Sequence, residues 1–184
     1  IPGELRSEGS KAALLEVMEE RQITIDRESH PVPRPYMVIA TQNPIEMEGT
    51  YRLPEAQLDR FLMRIGIGYP AEEHELEMID AHLVERGVPQ ARPGVVTLDG
   101  IAQVIGAVRE VEVAEGVRRY VVRLAEATRT DPRCRLGASP RAVLGVIRAA
   151  QAAAARLGRW YVLPDDIQVV ARPTLCHRII VEAG

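Results

Sequence analysis

Met37-Val38-Ile39-Ala40 is a continuous apolar run of strand length, and it stops at Thr41-Gln42-Asn43-Pro44. Four apolar residues without polar alternation form the pattern of a strand covered on both faces, as in the parallel sheet of an α/β protein. Pro44 withholds a backbone donor and ends the strand. The run therefore predicts an α/β element with Asn43 at the carboxyl end of a strand, the place where open α/β sheets bind ligands. Downstream, Leu53-Pro54-Glu55-Ala56-Gln57-Leu58-Asp59-Arg60-Phe61 starts with a proline suited to the first turn of a short helix and carries Arg60 near its end.

Around this pair the chain divides into two kinds of segment. Residues 10–21 predict an amphipathic helix with Leu14, Leu15 and Met18 on one side and Glu16, Glu19 and Glu20 mostly opposite. Residues 22–25 alternate as a short strand, 26–29 supply a turn, and 30–35 run through Pro31, Pro33 and Pro35 into the apolar run. Strand character resumes over 65–69 and Pro70 ends the first region. Gly66-Ile67-Gly68 lacks the third glycine and the following helix of a dinucleotide fingerprint. The rest predicts helices. Residues 72–86 carry Leu76, Ile79 and Leu83 at helical spacing and stop at Gly87; a loop with Pro89 and Pro93 leads to helices over 97–111 and 114–130. Asp131-Pro132 breaks the pattern, Ser139-Pro140 is a cap and first-turn proline for an alanine-rich helix ending near Gly158, and Pro164-Asp165-Asp166 begins another. The organisation expected is α/β plus all-α: residues 1–70 as the end of an α/β core and 71–184 as a small domain of four to five helices.

Apolar residues make up 46% of the 184 but aromatics only 4%, so burial must come from many small side chains. A net charge of −3 gives no bulk electrostatic reason to expect nucleic acid or an anionic membrane. Residues 118–160 are an exception, with ten arginines against Glu126 and Asp131. A solvated set of helix faces is the ordinary reading, and a surface for nucleic acid or an acidic partner is the alternative. Cys134 and Cys176 are too isolated for a disulfide framework or zinc site, and His30, His74, His82 and His177 show no metal-ligand spacing, so no metal site is expected. The chain shows no secretory pattern and no apolar stretch of bilayer-spanning length, which with the sparse cysteines fits the cytoplasm.

Residues 14–25 (LLEVMEERQITI), 33–62 (PRPYMVIATQNPIEMEGTYRLPEAQLDRFL) and 137–141 (GASPR) resemble the MoxR branch of the AAA+ ATPases in order and spacing, across nearly the whole chain. The resemblance implies a partial AAA+ core followed by a helical lid. It makes Asn43 the sensor 1 residue, whose amide could orient an attacking water and touch the terminal phosphate. Arg60 becomes the arginine finger donated to a neighbouring subunit, with Arg64 one turn on as its alternate, because a planar guanidinium matches developing charge on phosphate oxygens. Arg141, in the first turn of a helix whose free N–H groups already favour anions, becomes sensor 2. Glu48, Glu55 and Arg64 are candidate interface residues. Met47 and Arg52 depart from the glutamine and proline usual in that loop. Each arginine and the asparagine also has a local reading: Asn43 as a turn cap before proline, Arg60 as a helix-end cation paired with Asp59 or Glu55, Arg141 as an exposed first-turn side chain.

A Gly-rich loop ending in Gly-Lys-Ser/Thr and an acidic strand end are absent; the sole lysine, Lys11, is followed by Ala12. In the family the acidic strand end lies just before the point where this sequence starts, and residues 1–10 match the pattern poorly. The chain is therefore expected to be the C-terminal portion of a longer module, inactive alone and holding no cofactor tightly. For the intact parent the resemblance implies ATP and Mg²⁺, a hexameric ring, partners carrying von Willebrand A domains, and protein remodelling or metal-insertion chaperoning. A magnesium-chelatase-like subunit is the alternative within the class, and a non-enzymatic arginine-rich module is the alternative outside it.

Overall fold

A computed structural model describes residues 16–18, 20–25, 28–41, 54–84 and 94–182; Asn43 and Glu48 lie outside them. Residues 16–18 and 20 are helical, and Arg21, at φ 59°, turns the chain into a hairpin of β1 (Gln22–Ile25) and β2 (Glu28–Pro31). The strands pair antiparallel with Gln22 opposite Pro31 and Ile25 opposite Glu28, so Glu28 and Ser29, expected in the turn, belong to the ladder. The Tyr36 hydroxyl donates to the Val17 carbonyl at 2.8 Å and ties the hairpin's exit to the preceding helical residues.

Residues 37–40 depart from expectation. They form no strand, and Met37 and Ile39 are 79% and 77% exposed. An apolar run becomes a buried strand only when neighbouring strands take up its backbone groups and helices cover its faces, and among the described residues no strand pairs with it. Residues 65–69 likewise belong to no strand among the described residues, with Ile65, Ile67 and Tyr69 exposed.

The helices follow the sequence closely. They are α1 (Glu55–Leu58), α2 (Glu72–Val84), α3 (Leu98–Arg109), α4 (Glu115–Thr130), α5 (Pro140–Arg156) and α6 (Pro164–Leu175), of which the last five make up the helical region. Thr97 caps α3 by accepting from the Gly100 N–H at 3.1 Å, and proline opens both α5 and α6. The core lies among α4, α5 and α6. Val117, Val121 and Ala125 of α4 and Ile167, Val170 and Leu175 of α6 close on Ala142, Val146, Ala149, Ala150 and Ala154 of α5. Alanines on the central helix let its two neighbours approach closely, which is how a chain poor in aromatics builds a dense interior. Two short strands not foreseen from the sequence, β3 (Cys134–Leu136) and β4 (Ile180–Val181), pair antiparallel and bring the chain's last described residues back beside the α4–α5 connection. Glu112 pairs with Tyr161 in an isolated parallel bridge that joins the α3–α4 and α5–α6 connections. Among the described residues no helix is long and apolar enough to cross a membrane.

Candidate functional site

Each residue of Gly137-Ala138-Ser139-Pro140-Arg141 has a distinct mechanical task. A Cβ on Gly137 would lie 2.7 Å from backbone atoms of Thr128 and Arg129, so only glycine lets this loop lie against α4. Ala138 is buried there; its N–H donates to Thr128 Oγ1 at 2.9 Å and its carbonyl accepts from Arg129 Nε at 2.8 Å. Ser139 caps α5, its hydroxyl accepting from the Ala142 N–H at 3.1 Å. Pro140 supplies a pre-set φ at the first helical position. Arg141 is thereby placed in the first turn of α5, at the positive end of the helix dipole.

The turn after α1 docks onto this point. The Ser139 hydroxyl donates to Asp59, 2.9 Å from Oδ1 and 3.1 Å from Oδ2, and the same carboxylate lies 3.4 Å from Arg178 Nε and 3.5 Å from Arg141 Nη1. Arg178 Nη2 donates to the carbonyls of Asp59 at 3.1 Å and Phe61 at 2.6 Å, placing a cation against carbonyl groups at the end of a helical turn. Its guanidinium reaches α5 at Gly145, where a Cβ would fall 2.7 Å from Nη1. Burial depresses the Arg178 pKa, opposed by Asp59 and aided by Arg141. His177 Nε2 reaches the Phe61 carbonyl at 2.9 Å, and since a carbonyl can only accept, this nitrogen carries the proton. Nδ1 is buried without a partner. Burial, the foremost cause, holds the His177 pKa below its usual value; the Phe61 bond opposes this and Arg178 adds to it. The Arg64 N–H donates to the Pro173 carbonyl at 2.8 Å, satisfying one of the last carbonyls of α6.

Of the residues picked from the sequence, Arg60 sits half-buried in the turn after α1, Arg64 is exposed a few residues on, and Arg141 is brought to the same turn through Asp59. Glu55 pairs with Arg135 at 2.6 Å, and Asp59 meets Ser139, Arg178 and Arg141. Asp59, His177 and Arg178 were not singled out; Asp59 and Arg178 lie 119 positions apart, and no local spacing links them. Among the described residues no group of His, Cys, Asp and Glu could hold a metal ion.

Residues 6–63 match the model of the ATPase family associated with various cellular activities (AAA), and residues 126–184 match that of the AAA lid domain. The chain is 44% identical over 182 residues to the chaperone MoxR1 of Mycobacterium tuberculosis, an alignment covering 92% of this chain and 47% of the relative. It is 40% identical over 171 residues to YeaC of Bacillus subtilis, covering 93% and 53%, and 31% identical to MoxR of Paracoccus denitrificans, covering 91% and 55%. The crystal structure of a presumed ATPase from Cytophaga hutchinsonii matches with a TM-score of 0.84 at 36% identity, covering 96% of this chain and 56% of that one. The chain belongs to the MoxR-type AAA+ family. Its fold is that of an AAA+ core segment followed by a helical lid, and it spans about half the length of the relatives it matches.

In this MoxR-type chain the AAA match stops at residue 63, within the segment that docks, and the lid match contains Ser139, Arg141, His177 and Arg178. The Asp59 cluster therefore joins the two matched segments. The arginine-rich stretch is also largely taken up internally: Arg119 pairs with Glu115, Arg133 with Asp131, Arg135 with Glu55, Arg141 with Asp59 and Arg159 with Asp166, and Arg129 donates to the Ala138 carbonyl. Arg133 holds the Asp131 carboxyl down to about 2.

Proposed function

We propose that this chain supplies the nucleotide-sensing end of the core, residues 1–70, and the lid, residues 71–184, of a MoxR-type ATPase that hydrolyses ATP with Mg²⁺ in a hexameric ring. The observation that carries the reading is the meeting of the Arg60 turn and the Arg141 helix at one cluster, since an arginine at a helix N-terminus suits a phosphate. Asn43 acts as the water- and phosphate-orienting amide, Arg141 contacts the terminal phosphate of the same subunit, and Arg60, with Arg64 as alternate, reaches the neighbour's phosphates. Glu48, Glu55 and Arg64 face the subunit interface. ATP would supply the free energy. The metal's ligands would come from residues other than the described ones, and this chain alone would neither turn over ATP nor bind it tightly. The work proposed is remodelling or metal-insertion chaperoning with von Willebrand A domain partners in the cytoplasm; the relative named chaperone MoxR1 supports its chaperone part. Six of the ten arginines of residues 118–160 meet partners within the chain, which weakens the reading of one continuous basic surface for nucleic acid.

Arg60→Ala in the intact parent should leave nucleotide affinity near wild type and slow hydrolysis ~10³-fold or more, because a finger acts in the transition state. Subunit mixing checks the trans role: combined with a phosphate-loop variant, Arg60→Ala should restore activity that neither has alone. Unchanged hydrolysis in pure Arg60→Ala would end the assignment.

A further inference from the structure

Asp59 sets a carboxylate against the Ser139 cap at the start of α5, between two arginines. One carboxylate oxygen faces the Ser139 hydroxyl and Arg178, and the other faces the same hydroxyl and Arg141. The two guanidinium partners differ in one decisive respect. The Arg178 side chain is 2% exposed and its Nη2 is committed to two backbone carbonyls, whereas the Arg141 side chain is 50% exposed and 3.5 Å from the carboxylate. Arg178 is the buried member of its pair, and moving Asp59 away would leave its charge without that counter-ion, so the two stay together. A half-exposed pair is worth about five-fold or less in an equilibrium, well within what a multiply charged ligand can overcome.

We propose that Asp59 is a positioning residue that holds Arg141 in reserve: its carboxylate stands in for phosphate until a nucleoside triphosphate takes the guanidinium. Arg178 then retains Asp59, and with it the turn that carries Arg60. Two consequences follow from the geometry. Asp59 competes with the triphosphate for Arg141, which sets the affinity of the site below its maximum. Because Arg178, His177 and the Pro173 carbonyl hold residues 59–64 on the lid throughout, a shift of α5 toward nucleotide is passed directly to Arg60. A subunit's own nucleotide would thus bias the arginine it offers its neighbour. The inference rests on Arg141 as a phosphate contact, as proposed above.

The test is the affinity of the intact parent for a non-hydrolysable ATP analogue in a double-mutant cycle. Asp59→Asn keeps an acceptor for Ser139 but removes the competing charge, and should tighten binding about two- to five-fold while slowing hydrolysis. Asp59→Glu should stay near wild type in affinity. In an Arg141→Ala background the gain from Asp59→Asn should vanish. Unchanged or weaker binding in Asp59→Asn, or an equal gain with and without Arg141, overturns the proposal while leaving Arg141 as a sensor, provided Arg141→Ala itself weakens binding. No effect of Arg141→Ala on affinity overturns both. If Asp59→Asn does not fold, guanidinium NMR of the wild-type parent decides: the analogue should shift the Arg141 resonances and leave Arg178 in place, and movement of both, or of neither, is the contrary result.

Discussion

His177 shows how one half-buried side chain ties stability at the core–lid joint to pH. Its Nε2–H serves the Phe61 carbonyl, while protonation would add an N–H at the buried Nδ1, beside the cations Arg178 and Arg64 and only partly offset by Asp59. The folded pKa lies below the unfolded value near 6.5, so the unfolded chain binds the extra proton first. The contribution is fully present above pH ~6.5 and is lost as pH falls through the depressed folded value. Between pH 7.5 and 5.5 the protection factor of the Arg64 amide, bonded across the joint to Pro173, should fall in wild type. His177→Gln, which keeps an N–H donor without the titration, should flatten that dependence. Equal protection at both pH values in wild type would show that the imidazole does not govern the joint.

At the scale of elements, the position of α5 depends on the contact between Gly137 and α4. A methyl group at Gly137 meets backbone rather than a yielding side chain, so Gly137→Ala should destabilise the lid by at least about 2 kcal/mol, within the usual range for overpacking. The check is urea denaturation, with a lower midpoint at unchanged slope; an unaltered midpoint would mean the loop can retreat freely. This part of the fold was legible in the sequence because its instructions are local: Ser139-Pro140, Pro164 and Thr97 mark helix starts by side-chain chemistry acting within one turn. Residues 37–40 carry the pattern of a buried strand because an apolar run encodes what it would do between neighbours, not whether the neighbours are beside it. Strands β3 and β4, three and two residues long, are too short to show a period. The motifs carrying Arg60 and Arg141 could be picked out, but the carboxylate between them could not. Asp59 meets Ser139 across 80 positions and Arg178 across 119, and such pairings leave no trace in spacing.

For the whole molecule, the buried core lies entirely in the helical region, from Val111 to Leu175 among the described residues, while residues 55–64 are held on that region by polar contacts. A dense alanine-rich lid moves as a unit, because its interior cannot deform gradually, and polar contacts at its edge can exchange partners. In the function proposed above, Arg141 converts the presence of a triphosphate into the position of this lid. A ligand shifts such an equilibrium only through contacts it makes better in one state, and here that contact is one guanidinium. The direct measurement is the distance between spin labels at Ser29 on β2 and Arg148 on α5, both exposed, in the intact parent with and without a non-hydrolysable ATP analogue. The analogue should change this distance in wild type, leave it nearly unchanged in Arg141→Ala, and produce a partial change in Arg141→Lys, whose point charge lacks the planar fork. An equal change in wild type and Arg141→Ala would show that the lid responds to nucleotide without this arginine.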